Sequence, residues 1–147
     1  MKAVLVWSSP RPEMTIAIAM RRCYSTKPIE DIESELEQKG PEYWRYLLSK
    51  AMQDKSLDVL EHFTLTLAVE GMSDEMAGDL AARFPHLKLL RLGEKGWLAS
   101  LNARTLVELW RDHEWKPLAE LVVAELEAKD VCPIFNAVAF GETARAS

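Results

Sequence analysis

The chain has 147 residues, 48% of them hydrophobic and 28% charged, enough for a single domain with a sizeable core. Its formal net charge is −5, with Lys and Arg scattered along the sequence, which argues against a nucleic-acid binder carrying a basic patch. No apolar run approaches the roughly 20 residues of a membrane helix, and two cysteines make no disulfide framework, so the expectation is a protein of the cytoplasm with no membrane partner.

The run Ala3-Val4-Leu5-Val6-Trp7 is too short for a signal-peptide core and predicts a buried strand, bounded by Ser8-Ser9-Pro10. Thr15 to Cys23 predicts a first helix with Ile16, Ile18, Ala19 and Cys23 apolar and Arg21-Arg22 at the end that favours cations. Ser25-Thr26-Lys27-Pro28 breaks the chain and caps a second helix, which Gly40 stops. The carboxylates of that helix, from Glu30 to Glu37, read as a solvated face. Pro41 opens a third helix whose stripe of Tyr43, Trp44, Leu47, Leu48, Ala51 and Met52 is a core face.

From Phe63 the period changes to two. Phe63, Leu65, Leu67 and Val69 alternate with Thr64, Thr66, Ala68 and Glu70, which predicts a central strand. Ser73-Asp74 caps a helix to about Arg83, stopped by Pro85. Two strands, Leu87–Leu92 and Trp97–Ser100, flank the turn residues Gly93 to Gly96. Helices follow from Asn102, from Pro117 to Cys132-Pro133, and over 134–141, with 142–147 as a frayed tail. The fold class is therefore α+β: helices packed around a small, mostly antiparallel sheet.

The helix start Leu101-Asn102-Ala103-Arg104-Thr105-Leu106 stands out. Asn102 is a strong N-cap, and Leu101 and Leu106 have the spacing of a hydrophobic staple. Arg104 is awkward, because a cation in the first turn opposes the helix dipole. It has two readings from the residues alone. Either it pairs with Glu108 one turn on, or it and the free amides face an anionic or carbonyl-rich ligand. Of the histidines, His86 is expected to be exposed and His62 packed and hydrogen-bonded, while His113 is either a chemically active group beside Arg111 or a helix-end cation. No metal-binding His pair, phosphate loop or nucleophile elbow is present, and no catalytic residue is singled out.

Four segments, in this order, resemble the flavin-dependent thymidylate synthases, the ThyX family. They are Met20-Arg21-Arg22-Cys23-Tyr24-Ser25 with Lys27-Pro28-Ile29-Glu30; Glu61-His62-Phe63 leading to Glu70-Gly71-Met72-Ser73; Leu101 to Leu106; and Trp115 with the apolar helix ending at Cys132-Pro133, Phe135 beyond. The resemblance implies a ThyX-like fold and FAD contacted by Asn102 and Arg104, with Glu61 beside the flavin. It implies a homotetramer with sites between subunits. The implied reaction turns dUMP into dTMP with methylenetetrahydrofolate and NADPH, without a protein nucleophile.

Two family features are missing. Lys55 to Val59 replaces a Gly-His-x-Ser/Thr-Pro segment, and Ala81-Ala82-Arg83-Phe84 stands where an Arg-His-Arg signature belongs. Residues 85–100 bridge directly to Asn102, so the single domain lacks much of the family's central nucleotide-binding segment. Arg83 is the one cation left from the signature, and Arg111 stands for the family's phosphate-contacting arginine. The expectation is thus an FAD-binding member whose thymidylate chemistry is in question, the alternative being a non-catalytic flavin- or nucleotide-binding protein or an oligomeric scaffold.

Overall fold

A computed structural model describes residues 1–94 and 96–141. The elements run β1 (Lys2–Ser8), α1 (Pro12–Arg22), α2 (Ile29–Lys39), α3 (Pro41–Gln53), a 3-10 helix (Leu57–His62), β2 (Thr64–Glu70), α4 (Asp74–Arg83), β3 (Lys88–Leu92), β4 (Gly96–Asn102), α5 (Ala103–Arg111), α6 (Lys116–Ala128) and α7 (Pro133–Phe140). The expected tail over 142–147 lies outside the described residues.

The strand order is β1-β2-β4-β3, with every pairing antiparallel. β2 is central, as its alternation predicts, and its odd-numbered residues Leu65, Leu67 and Val69 are buried. With Ala3, Ala99 and Leu101 they form the inner face, on which the helices pack. Phe135 of α7 meets Phe63 edge-on, with ring centroids 5.7 Å apart, and Phe140 at 5.5 Å. Burying each such ring contributes on the order of 2 kcal/mol, which locks α7 against the exit of the 3-10 helix.

The even-numbered residues of β2 and their partners make an outer face that no helix covers among the described residues. β1 is consequently an edge strand and not a strand buried on both sides: Val6 and Trp7 are 58% and 53% exposed. A register shift between Leu5 and Trp7 twists it there.

Three local expectations change. α1 begins earlier, at Pro12, because proline suits the first helical position. The buried stripe is then Met14, Ile16, Ala17 and Met20, and Cys23 is left exposed. Pro28, which carries no side-chain acceptor, occupies the cap position of α2, while the Ser25 hydroxyl accepts the Lys27 amide instead. His62 is exposed rather than packed, since it ends the 3-10 helix just before Phe63 turns inward.

The acidic face of α2 is an ion-pair surface, as expected of a solvated face. Arg11 holds Glu33 and Glu37 at 2.9 and 3.0 Å, and Lys39 and Arg21 hold Glu35 at 3.0 and 3.3 Å. Gly71, at φ 85°, sits so close to Met1 that a Cβ would lie 3.1 Å from the Met1 Cα. Glycine is needed there to turn the end of β2 beneath the start of the chain.

Candidate functional site

Glu61 lies in the last turn of the 3-10 helix and Arg104 in the first turn of α5. Two backbone links set their separation. Thr64 pairs with Asn102 in the β2–β4 register, and the Ala103 amide donates to the Phe63 carbonyl at 2.8 Å. The segment entering β2 and the one leaving β4 are thereby clamped together at one end of the sheet.

Arg104 is caught between two carboxylates. Its Nη1 is 3.6 Å from Glu61 Oε1, and its Nε is 3.4 Å from Glu108 Oε1. All three side chains are between a third and a half exposed. At these distances the pairs are loose, longer than the roughly 2.7–2.9 Å of a close charged hydrogen bond. A guanidinium so held can exchange partners at small cost.

Asn102 acts as the cap that its position predicts, its Oδ1 accepting the Thr105 amide at 2.8 Å. Its Nδ2 has no hydrogen-bond partner among the described residues, so a two-proton donor remains beside Arg104. A hydroxyl stripe runs along the outer sheet face toward it. Thr66 and Ser100 hydroxyls are 3.2 Å apart, and the Ser9 hydroxyl accepts the Thr64 amide at 2.9 Å. The two carboxylates outweigh the one guanidinium, so the site is net negative. It suits a neutral ligand edge bearing both acceptors and a donor, and disfavours an anion.

Arg83 and Arg111 are not brought to this group. Arg111 is exposed in the last turn of α5, about 10 Å along the helix axis from Arg104. Arg83, at the end of α4, reaches the same far end of α5. Its guanidinium is spent on Asp112 at 2.5 Å, Glu114 at 2.6 Å and Asp79 at 3.5 Å. Asp112 also accepts the Trp115 and Glu114 amides, and these bonds with Arg83 hold its carboxyl below the usual range. That corner staples α4 to the α5–α6 turn.

One chemically distinctive group was not singled out from sequence. Glu13 is buried in the first turn of α1, and its Oε2 accepts the Phe135 amide at 2.5 Å, capping α7 from 122 residues away. Burial pushes its carboxyl up, partly offset by the Phe135 and Ile134 amides. The signal was the spacing Glu13-Ile16-Ala17-Met20, which puts the glutamate on the buried stripe. Among the described residues no helix is long and apolar enough to cross a membrane.

The family described as thymidylate synthase complementing protein matches residues 4–82, more than half of the chain. A flavin-dependent thymidylate synthase from Geobacter sulfurreducens is 33% identical over 73 residues, which take in 50% of this chain and 30% of that protein. The chain thus matches less than a third of that relative's length. Among solved structures, flavin-dependent thymidylate synthase ThyX from Helicobacter pylori, complexed with FAD and dUMP, superposes with a TM-score of 0.64 over 88% of this chain and 95% of that one. A second Helicobacter pylori ThyX structure with FAD and dUMP gives 0.66 over 95% and 100%. Both are 14% identical to this chain, so they speak for the fold.

Proposed function

Because the chain belongs to the thymidylate synthase complementing protein family, we propose that it is a flavin-binding protein that seats FAD against the start of α5 through Glu61, Asn102 and Arg104. The observation that carries this reading is the loose hold of Glu61 and Glu108 on Arg104, beside the unpartnered amide of Asn102.

The donor set fits one part of that cofactor. The pyrimidine-dione edge of a flavin presents carbonyl acceptors and an imide N–H. Arg104 and Asn102 supply donors for the carbonyls, and Glu61 an acceptor for the N–H. The diphosphate fits poorly between two carboxylates, where like charges would meet. Bound FAD would supply hydride transfer, while the chain binds and orients its ring. NADPH enters only with catalysis. Because the Arg104 face is open, the reading includes a homo-oligomer, a tetramer, in which neighbouring copies complete the binding surface, working in the cytoplasm without nucleic acid.

The family reaction, dUMP to dTMP with methylenetetrahydrofolate, would need cations for the nucleotide phosphate. Arg83 and Arg111 are the candidates. The three carboxylates on Arg83 favour a second reading, in which the protein binds flavin without making dTMP. The whole domain would then be a family member without the central nucleotide-binding segment.

The absorbance of freshly purified protein, with the melting temperature at rising FAD, tests the first reading. A colourless protein whose melting temperature FAD does not raise would sink it. Rescue of a thymidine auxotroph, with dTMP formed in vitro, would exclude the second.

A further inference from the structure

A groove of about 580 Å³ lies between the first turns of α4 and the start of α6. Much of its wall is apolar. Met76 of α4 is 36% exposed and Met1 47%, while Pro117 and Leu118 come from α6. Methionine surfaces adapt to the shape of what they take up, and a groove of this volume encloses a small molecule rather than the face of a partner protein.

The rim of the groove is acidic. Glu75 and Asp79 stand one turn apart on α4, and Glu114 comes from the turn before α6. Arg83 already rests against this rim, its Nη1 2.6 Å from Glu114 and 3.5 Å from Asp79 and its Nη2 2.5 Å from Asp112. Four carboxylates thus share one guanidinium, which leaves the rim negative even with an ammonium at Met1 counted. The bonds also leave oxygens over. The Trp115 indole N–H and Arg83 both donate to Oδ2 of Asp79, and Arg83 takes Oε2 of Glu114. The second oxygen of each has no partner among the described residues, and exposed Glu75 belongs to no ion pair among them.

We propose that this groove binds a small organic cation, an apolar body carrying an ammonium or guanidinium group. The body is buried against Met1, Met76, Pro117 and Leu118, and the cation reaches Glu75 and the spare oxygen of Asp79. Arg83 shows within the chain itself what the rim accepts. The same charge disfavours a carboxylate or phosphate of equal shape, so the groove is no second seat for a nucleotide. None of its residues belongs to the Glu61–Asn102–Arg104 group, so the site stands independently of flavin binding.

Three probes with one body and different charge test this: phenylbutylamine, phenylbutanol and phenylbutyrate. They are titrated into the intact protein with its methionine methyls enriched in carbon-13, and the methyl resonances are followed by NMR. Phenylbutylamine is expected to shift Met1 and Met76 saturably while Met14 and Met20, buried in α1, stay still. It should bind about tenfold more tightly than phenylbutanol, with phenylbutyrate weakest, and the advantage should shrink as salt is added. Glu75→Gln removes one exposed charge and should weaken the amine about threefold to fivefold, leaving the alcohol, circular dichroism and the thermal response to FAD as in the parent. No saturable shift of Met1 and Met76, an amine that binds no better than the alcohol, or an amine affinity unchanged in Glu75→Gln overturns the proposal.

Discussion

Arg104 Nη1 stands 3.6 Å from Glu61 Oε1, joining the entry of the central strand to the start of α5 across 43 residues of sequence. The contact is too loose and too exposed to matter much for stability. Exposed pairs of this kind contribute about 0.2–1 kcal/mol. Arg104→Ala is therefore expected to unfold within about 1 kcal/mol of the parent while losing its thermal response to FAD. Arg104→Lys should lose most of that response too, because an ammonium cannot present the guanidinium's planar fork. An FAD response retained in full by Arg104→Ala would remove Arg104 from the site.

Asn102 has two separable duties. Its Oδ1 caps α5, and its Nδ2 is the donor offered to the ligand. Asn102→Ala removes both and should cost about 1 kcal/mol of stability, as lost caps do. Asn102→Asp keeps the cap but replaces the donor with a third carboxylate. It should retain parental stability in urea and yet bind FAD at least about tenfold more weakly. If the aspartate variant binds as well as the parent, the side chain is a cap and nothing more.

Much of this arrangement was legible in the sequence because it rests on local rules. The alternation of Leu65, Leu67 and Val69 with Thr64 and Thr66 reports a strand buried on one face. The Ser73 and Asn102 caps act as their positions predict, Ser73 accepting the Met76 amide at 3.1 Å. What lay hidden depends on partners distant in sequence. The run Ala3 to Trp7 is apolar throughout, and nothing within it says that Val4, Val6 and Trp7 are left exposed. The engagement of Arg83 by Asp112 and Glu114 spans 29 and 31 residues. Glu13 satisfies the local rule for an acid in a first turn, which masks its second role as the cap of α7. For the candidate site, only a family resemblance picks out Glu61, Asn102 and Arg104 together, whereas their convergence follows from the pairing of Thr64 with Asn102.

The two cysteines should differ sharply in reactivity. Cys23 is exposed at the end of α1. Cys132 is buried with Glu13 nearby, and burial followed by that charge pushes its thiol up to about 12. Thiolates, not thiols, react with disulfide reagents and alkylators. One thiol per chain is expected to titrate rapidly near pH 8 in the native protein, and the second only after unfolding. Rapid modification of the second thiol in native Cys23→Ser protein would contradict the placement of α7.

Glu35 and Glu13 pull the pH dependence of stability in opposite directions. The Lys39 hydrogen bond, opposed by burial and joined by Arg21, holds Glu35 down to about 2. Its folded value lies below its ordinary value of 4.5, so its stabilisation is present above that value and is lost as pH falls toward 2. Glu13 is shifted the other way, chiefly by burial. Its folded value lies above the ordinary one, so its contribution is fullest in acid and declines as pH rises through the raised value. Urea unfolding from about pH 3 to about pH 7 separates the two. Glu35→Gln should flatten the acid limb of the stability curve. Glu13→Ala leaves the Phe135 and Ile134 amides without their acceptor and should cost roughly 1–3 kcal/mol, with the larger cost at the acid end. A cost for Glu13→Ala that grew as pH rose would reverse the sign and show that the buried carboxylate is stabilised as an anion.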